Sequence, residues 1–188
     1  MINFSVIIPH RNSFNKLLRS IKSIPHRSDI QVIIVDNSTE MIDLNIIKEK
    51  FSENIQIFKS DISKGAGHAR NIGIDQSIGK WILFLDADDY FIKNAFNSFD
   101  KYINSNFDLV YFKSTSSFEE SGLVSDRHIV YSNLVDEFLN NKNDSLDNLC
   151  FKYAPPWGKL IRSDLIKSNE IYFDEVPASN DLTFSAKV

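Results

Sequence analysis

Short apolar runs that alternate with helical segments constrain the fold of this chain more than any other feature of its sequence. Residues 4–8 read FSVII, residues 31–36 read QVIIVD and residues 81–86 read WILFLD, with apolar side chains at odd and even positions alike. Strands of this kind are buried on both faces. From Phe14 onwards, apolar residues recur instead at helical spacing. The alternation predicts an α/β fold with a mostly parallel central sheet flanked by helices and joined by right-handed crossovers.

The strict alternation fades after residue 115. A chain of 188 residues is long enough for one sizeable core, so we expect a single domain over 1–188. This domain has an α/β half over 1–114 and a second subregion over 115–188. The last residues read NDLTFSAKV, which opens a helix without a stop signal and favours a truncation at the C-terminus. The remaining elements expected are strands at 55–60 and 109–114 and helices around 44–51, 67–77, 95–103 and 134–139.

Charge and cysteine content narrow the range of partners. The formal net charge of -4 gives no basic footprint for nucleic acid, so no nucleic-acid partner is expected. The single cysteine, Cys150, has no partner for an internal disulfide, which favours a reducing, cytoplasmic compartment. No apolar run approaches the roughly 20 residues that span a bilayer. The sequence therefore predicts no transmembrane segment and is compatible with peripheral contact at the inner face of a membrane.

Polar side chains follow three of the predicted strands at their carboxyl ends. In open parallel sheets, ligands bind beyond this edge, where the strand order reverses. We therefore expect these side chains to share one crevice. The candidates at this edge are Pro9, His10, Arg11, Asp36, Asn37, Asp86, Asp88 and Asp89.

Three carboxylates in four residues, Asp86, Asp88 and Asp89, come directly after a buried strand. They repel one another unless a cation or hydrogen-bond donors offset the repulsion. Mg²⁺ and Mn²⁺ suit such a short loop, because they take one or two protein carboxylates and complete their coordination with phosphates and water. The alternative is a solvated acidic turn that caps the following helix. The position after a buried strand favours the metal.

The segment KGAGHARN, residues 64–71, is a second indication of a ligand. Gly65 and Gly67 permit close approach of a backbone to a ligand, a helix N-terminus favours phosphate, and Lys64 or Arg70 adds positive charge. The dinucleotide-binding fingerprint would need a third glycine in place of Arg70 and should follow the first strand. The structural alternative is a glycine-rich loop in which Arg70 pairs with a nearby carboxylate.

Other polar and aromatic residues admit both a functional and a structural interpretation. Asp36 at the end of a strand binds a base or ribose, or caps the next helix. His10 and His68 lack metal-ligand spacing, so a hydrogen-bonding role is favoured for both. Trp157, which follows two prolines and precedes a glycine, stacks on a sugar ring or packs in the core.

Together these segments resemble the family-two glycosyltransferases, whose nucleotide-binding domain has the A-type, Rossmann-like nucleotide-diphospho-sugar transferase (GT-A) fold. SVIIPHRN is similar to the opening strand and turn of that family, and VIIVDNSTE to its second strand. KGAGHARNIGI is similar to its ARN segment, and GKWILFLDADDY to its metal-binding DxD segment. PWGKLIRSDLI and IYFDEVPASNDLTFSAKV resemble the acceptor-side region. The resemblance implies that 1–114 is the nucleotide-sugar-binding half and 115–188 the acceptor-side subregion.

The resemblance also implies a reaction. A sugar would pass with inversion from a nucleoside-diphosphate sugar, by default a UDP-sugar, to a hydroxyl of a glycan or lipid-linked glycan, as in surface polysaccharide biosynthesis. A divalent cation, Mn²⁺ or Mg²⁺, would be required. The implied residues are Asp181 as catalytic base, Asp88 and Asp86 at the metal, Asp86 and Arg70 at the donor ribose and phosphates, and Pro9, Arg11, Asp36 and Asn37 around the base; Trp157 is the acceptor-side candidate.

Three positions depart from the family pattern. Arg11 stands where an aromatic residue is usual, Asn37 replaces an acidic residue, and Asn180 replaces the glutamate of a Glu-Asp pair. Base identity is therefore open. Two alternative functions are a non-catalytic module that binds a sugar nucleotide or metal and a nucleotidyltransferase, whose glycine-rich basic loop is missing after the first strand. A haloacid-dehalogenase-like phosphatase would carry its DxD after the first strand.

Overall fold

A six-stranded sheet forms the centre of the part of the protein that the computed structural model describes, residues 1–39, 46–47, 51, 54–176 and 179–188. The strands are β1 (Phe4–His10), β2 (Ile30–Asp36), β3 (Ile55–Lys59), β4 (Trp81–Phe84), β5 (Leu109–Tyr111) and β6 (Lys159–Arg162). Their order is β3-β2-β1-β4-β6-β5. β1 pairs in parallel with β2 and β4, and β2 pairs in parallel with β3. β6 runs antiparallel to both of its neighbours. The mostly parallel sheet expected from the sequence is confirmed.

Helices cover both faces of this sheet. They are α1 (Phe14–Lys22), α2 (Gly65–Gln76), α3 (Ala95–Phe99), α4 (Ile129–Leu139), α5 (Ser145–Lys152), α6 (Ser163–Ser168) and α7 (Asp181–Lys187). Most of the helix predicted at 44–51 lies outside the described residues. Within the described ranges, no helix has the length and apolar character needed to cross a membrane.

Alternate residues of the strands fill two separate layers of core. Phe4 and Ile8 of β1 pack on the same side of the sheet as Leu17 of α1. Ile7, between them, packs on the other side with Ile74 of α2. All five side chains are fully buried, and burial of each stabilises the fold by about 1.5–3 kcal/mol. Because side chains of a strand point to alternate faces, these two layers account for runs that are apolar at every position.

The strand order reverses between β1 and β4, which opens a crevice at their carboxyl ends. β1 extends beyond the apolar run at residues 4–8 that predicts it, since the strand continues through Pro9 to His10. Pairing between β1 and β4 stops at Ile7 and Phe84. Pro9 lies two residues beyond this last pair, so no residue of β4 is there to accept a hydrogen bond from a backbone N–H at position 9, and the missing N–H of proline leaves no bond unmade. This explains why a proline is tolerated in a central strand.

The second half of the chain departs most from the sequence prediction. β6 and α5 were not predicted, and β5 covers only Leu109–Tyr111 of the expected 109–114. β6 inserts between β4 and β5 in the antiparallel direction. A strand of four residues is too short to show a reliable period. An isolated bridge between Ser117 and Val124 precedes α4.

Candidate functional site

The acidic segment 86–89 forms a turn at the carboxyl end of β4, and α1 holds its backbone. The hydroxyl of Ser20 donates a hydrogen bond to the carbonyl of Ala87 at 2.8 Å. The guanidinium of Arg19 donates to the carbonyl of Asp88 at 2.5 Å. These bonds fix the main chain and leave the side chain of Asp88 exposed.

Crowding of negative charge within this turn makes it a suitable place for a cation. Burial and, after it, the charges of Asp86 and Asp88 raise the pKa of Asp89 to about 6. Within the residues described, no group of three or more His, Cys, Asp or Glu is arranged to enclose a metal. Mg²⁺ and Mn²⁺ do not need such a cage when substrate phosphates and water complete the coordination. Asp86 and Asp88 therefore fit a cation that is shared with a phosphate-bearing ligand.

Arg70 of α2 links the acidic turn to the start of α7. The residue is only 7% exposed. Its Nη2 donates to Oδ1 of Asp86 at 2.7 Å, and its Nη1 donates to Oδ1 of Asn180 at 2.9 Å. The guanidinium lies 5.2 Å from the ring centroid of Phe173, and Nε has no partner among the described residues. Arg70 thus holds the two sides of the crevice at a fixed separation and keeps one N–H unused.

Gly67 allows the chain segment before α7 to approach α2. A Cβ at this position would lie 2.2 Å from the carbonyl oxygen of Asp174, so no other residue fits without a shift of the backbone. The sequence predicts that Gly67 begins a helix and that a ligand approaches its backbone. In the structure α2 already begins at Gly65, and the backbone that approaches Gly67 is that of the chain itself. This part of the prediction is wrong.

Asp36, at the carboxyl end of β2, has no exposed surface. Its carboxylate accepts hydrogen bonds from His10 Nδ1 at 3.0 Å and from the N–H of Ser38 at 3.1 Å, and it forms an ion pair with Lys59. Burial acts to raise the pKa of Asp36, but the hydrogen bonds from Lys59, Ser38 and His10 outweigh burial and lower the pKa. Asp36 is therefore a buried anion that fixes the turn after β1 against the turn after β2.

Both histidines near the crevice are hydrogen-bonded. Nε2 of His10 accepts from the N–H of Ser13 at 3.0 Å, so Nδ1 carries the proton that is donated to Asp36. His68 Nδ1 lies 2.7 Å from a carboxylate oxygen of Glu175. The hydrogen-bonding role predicted for His10 and His68 is confirmed.

Asn37 offers an unused hydrogen-bond acceptor in the crevice region. Its Nδ2 donates to the carbonyls of Asp61 and Gly65 at 3.3 and 3.4 Å. Its Oδ1 is buried and has no partner in the described part of the chain. Buried acceptors are seldom left unpaired. The other two residues expected here differ in exposure, since Arg11 is exposed and Pro9 is half-buried.

A cavity of about 280 Å³ brings together residues that are distant in the sequence. Trp157 packs edge-on against Tyr131 in its wall, with ring centroids 5.3 Å apart and an interplanar angle of 87°. The residues that line it include Arg70, Asp86, Arg127, Tyr131, Trp157 and Asp181. Four of these were predicted from the sequence as site residues. Arg127 and Tyr131 were missed, because neither lies in a motif and α4 reaches the crevice only through tertiary packing.

The mostly parallel sheet, with an acidic turn at its switch point and an aromatic, charged cavity beside it, has a fold of the GT-A class. The model of Glycosyl transferase family 2 matches residues 5–165, and the chain belongs to this family. The poly(ribitol-phosphate) beta-N-acetylglucosaminyltransferase TarS of Staphylococcus aureus is 25% identical over 197 residues, which cover 100% of this chain and 32% of TarS.

Two further comparisons agree with this assignment. The poly(ribitol-phosphate) beta-glucosyltransferase of Bacillus spizizenii is 26% identical over 193 residues, covering 98% of this chain and 29% of that protein. The crystal structure of S. aureus TarS 1–349 in complex with UDP-GlcNAc matches with a TM-score of 0.74 at 24% identity, over 99% of this chain and 53% of that chain. The latter shows the fold. The chain spans about a third of the length of these curated relatives.

Proposed function

We propose that this protein transfers a sugar from a UDP-sugar to a hydroxyl group of a surface polymer, with inversion and with the help of Mn²⁺ or Mg²⁺. One observation carries the proposal: a single cavity is lined by the acidic turn residue Asp86, by its partner Arg70 and by Asp181. Charged groups suited to a diphosphate and a carboxylate suited to proton transfer thus line the same cavity. UDP-N-acetylglucosamine is the first donor to test, because TarS was crystallised with it.

The nucleoside side of the proposed donor site lies at the ends of β1 and β2. Uracil presents an N–H donor that suits the unpaired Oδ1 of Asn37. Pro9 and Arg11 border the same turn. Asp36 supports this side of the donor site indirectly, because its carboxylate is already bonded to His10 and Lys59 and fixes the two turns that border the site.

The diphosphate side rests on Asp86, Asp88 and Arg70. Asp88 and Asp86 would hold the divalent cation, which when bound stabilises the negative charge of the leaving diphosphate. The guanidinium of Arg70 would lie beside the same oxygens and is held in place by its ion pair with Asp86 and its hydrogen bond to Asn180. A pre-oriented cation of this kind stabilises developing charge without reorganisation during the reaction.

Asp181 is assigned the role of general base. It would take the proton of the acceptor hydroxyl while the oxygen forms a bond to the anomeric carbon of the donor. The bond from that carbon to the diphosphate oxygen breaks, and its electron pair leaves with UDP. One displacement inverts the anomeric centre and needs no covalent intermediate with the protein. Asn180 and Asp181 have different roles in this proposal, since Asn180 fixes Arg70 and Asp181 lines the cavity.

The acceptor is proposed to be a phosphate-bearing polyol or glycan polymer. Two relatives of this chain are named as poly(ribitol-phosphate) glycosyltransferases. Arg127 in the cavity wall has no hydrogen bond or ion pair in the described ranges and is available to an anion. Trp157 offers an aromatic surface to a sugar or polyol carbon chain.

The test combines donor binding with turnover. UDP-, GDP- and TDP-sugars are titrated by calorimetry with and without Mn²⁺, and UDP release is measured with a poly(ribitol-phosphate) acceptor. We expect Asp88→Asn to lose metal-dependent donor binding. We expect Asp181→Asn to keep donor affinity and to lose transfer by about 100-fold or more, the usual contribution of a general base.

The exposed carboxylate of Asp164 provides the control, because Asp164→Asn makes the same chemical change on α6. Normal transfer by Asp181→Asn would show that another group is the base. Donor binding without any turnover would favour a non-catalytic binding module instead.

A further inference from the structure

Asn71 of α2 is a buried amide that the proposed reaction does not use. The residue is only 9% exposed. Its Nδ2 donates to the carbonyl oxygen of Phe173 at 2.9 Å, and its Oδ1 accepts from the N–H of Phe173 at 2.8 Å. An amide side chain offers a donor and an acceptor side by side. Asn71 therefore binds both main-chain groups of Phe173, as a neighbouring strand would.

The face of α2 that carries Asn71 makes close contact with the segment before α7. Positions 67, 70 and 71 lie on one face of the helix, because residues three and four apart are neighbours there. Gly67 leaves room for the carbonyl of Asp174, since a Cβ would lie 2.2 Å from that oxygen. Arg70 donates to Oδ1 of Asn180 at 2.9 Å. α2 thus holds this segment at three separate points.

The ring of Phe173 packs between α7 and β4. It stacks on Phe184 of α7, with ring centroids 3.8 Å apart and an interplanar angle of 8°. It also packs edge-on against Phe84, the last residue of β4, with ring centroids 5.1 Å apart. All three rings are buried. A displacement of Phe173 is therefore passed on to its neighbours, because a close-packed interior has little space to absorb it.

Phe184 and Phe84 are close in sequence to the two carboxylates of the proposed reaction. Phe184 lies three residues after Asp181 in the same helix, and Phe84 lies two residues before Asp86. The main-chain position of Phe173 therefore fixes where α7, and with it Asp181, lies relative to the acidic turn. Asp181 and Asp86 line the same cavity. Their separation determines whether an acceptor hydroxyl aligns with both the base and the donor.

We propose that Asn71 is a positioning residue for sugar transfer, whose two bonds to the main chain of Phe173 hold Asp181 in place as the base. The proposal rests on the proposed function, because it needs Asp181 in that role. The chemical step is unchanged. The acceptor proton passes to Asp181, the acceptor oxygen bonds to the anomeric carbon, and the electron pair of the broken bond leaves with UDP. Asn71 acts on this step only through Phe173 and Phe184.

The experiment is a double-mutant cycle between positions 71 and 181, assayed by UDP release in the presence of the acceptor polymer. Asn71→Leu keeps the approximate size of the side chain and removes both hydrogen bonds. We expect it to lower kcat about 10- to 100-fold, the scale of a misplacement of about 1 Å, and to leave the Kd of the UDP-sugar unchanged. In the Asp181→Asn background, the same change should lower the residual rate by less than about twofold, because the group that it misplaces is already lost.

Equal losses of kcat in the two backgrounds would show that Asn71 acts on the fold as a whole and would overturn the proposal. A normal kcat for folded Asn71→Leu would also overturn it. Asn71→Ser repeats the cycle with a hydroxyl in place of the amide. If Asn71→Leu does not fold, the same outcomes for the serine variant decide the question.

Gln31→Met is the matched control. Gln31 is 3% exposed, its Nε2 donates to the carbonyl of Gln76, and its Oε1 accepts from the N–H of Ile78, both at 3.0 Å. As the second residue of β2, it lies at the end of the sheet opposite the crevice. Both variants remove a buried amide that bonds to main-chain groups, so both should lower the urea midpoint of unfolding. Only Asn71→Leu should lower kcat, and an equal loss in Gln31→Met would overturn the proposal.

The wild type separates this proposal from the proposed function. A wild type that binds a UDP-sugar and releases no UDP with the acceptor polymer would refute the proposed function and, with it, the role of Asn71 in transfer. Transfer by the wild type, with equal losses for Asn71→Leu in the two backgrounds, would overturn the role of Asn71 alone.

Discussion

Replacement of Lys159 by methionine tests how strongly the fold opposes a charge at this position. The pKa of Lys159 falls from 10.5 to about 7, mainly because the side chain is buried. Below pH 7 the lysine is protonated in both the folded and the unfolded chain, so stability does not change with pH on its account. Between pH 7 and pH 10.5 the unfolded chain binds one proton more than the folded protein. The free energy of unfolding of the wild type therefore rises with pH in this window.

The size of the effect follows from the difference in bound protons. One proton corresponds to about 1.4 kcal/mol for each pH unit. From pH 7 to about pH 9.5 the wild type should gain about 3 kcal/mol relative to Lys159→Met. The window ends there because the lysine of the unfolded chain itself begins to lose its proton as the pH approaches 10.5.

The difference in free energy of unfolding between the wild type and Lys159→Met at pH 7 is less informative than the change of this difference with pH. Methionine cannot donate to the carbonyl of Tyr153, as Nζ of Lys159 does at 2.8 Å, and an unpaired buried acceptor costs about 1–3 kcal/mol, which offsets part of the gain from removing the charge. Urea unfolding followed by the fluorescence of Trp81 and Trp157, at constant ionic strength between pH 7 and about pH 9.5, measures the slope. A difference between wild type and Lys159→Met that stays constant within about 0.5 kcal/mol over this range would refute the reasoning.

Two further predictions concern the residues around the cavity. Gly158→Ala should lower the free energy of unfolding by about 3 kcal/mol, because it adds a clash with Tyr153 to a left-handed φ of +71°. Urea unfolding tests this, with Gly122→Ala as control at φ +67° and with nothing within 4 Å; equal losses would exclude the clash. Arg127→Gln should raise KM for a phosphate-bearing acceptor about tenfold while donor Kd is unchanged, the size of one lost charge-assisted hydrogen bond. An equal effect on a neutral sugar acceptor in the same UDP-release assay would contradict an anion contact.

The α/β half over residues 1–114 could be predicted because its central strands have an unambiguous pattern of apolar residues. β1, β2 and β4 are buried on both faces, and only a parallel sheet between two helical layers buries them in that way. The region after 115 lacks this pattern. β6 is four residues long and ends at the half-buried Arg162, so its place between β4 and β5 depends on packing that acts over more than 40 residues of chain.

The sequence could predict which residues belong to the site. It could not predict which other residues they bond to. Motif spacing pointed to Arg70 and Asp86, and the structure joins them by an ion pair. The bond from Arg70 to Asn180 crosses 110 residues, which no local pattern encodes. Lys159 gave no signal either, since a lysine at the start of a short strand is usually solvent-exposed. Its burial follows from the turn at Gly158 and from the aromatic rings packed over it.

The amide of Asn180 affects the net charge of the hydrogen-bonded set that it forms with Arg70 and Asp86. A glutamate, the residue usual in the resembling family, would give Arg70 a second carboxylate beside Asp86 and leave the three side chains with a net charge of -1. The amide of Asn180 accepts the same hydrogen bond at 2.9 Å without that charge, so the set Arg70, Asp86 and Asn180 is neutral. A neutral set opposes an incoming diphosphate less than a negative one does. The amide therefore keeps the bond that links Arg70 to the start of α7, and under the proposed function it leaves less negative charge near the incoming diphosphate.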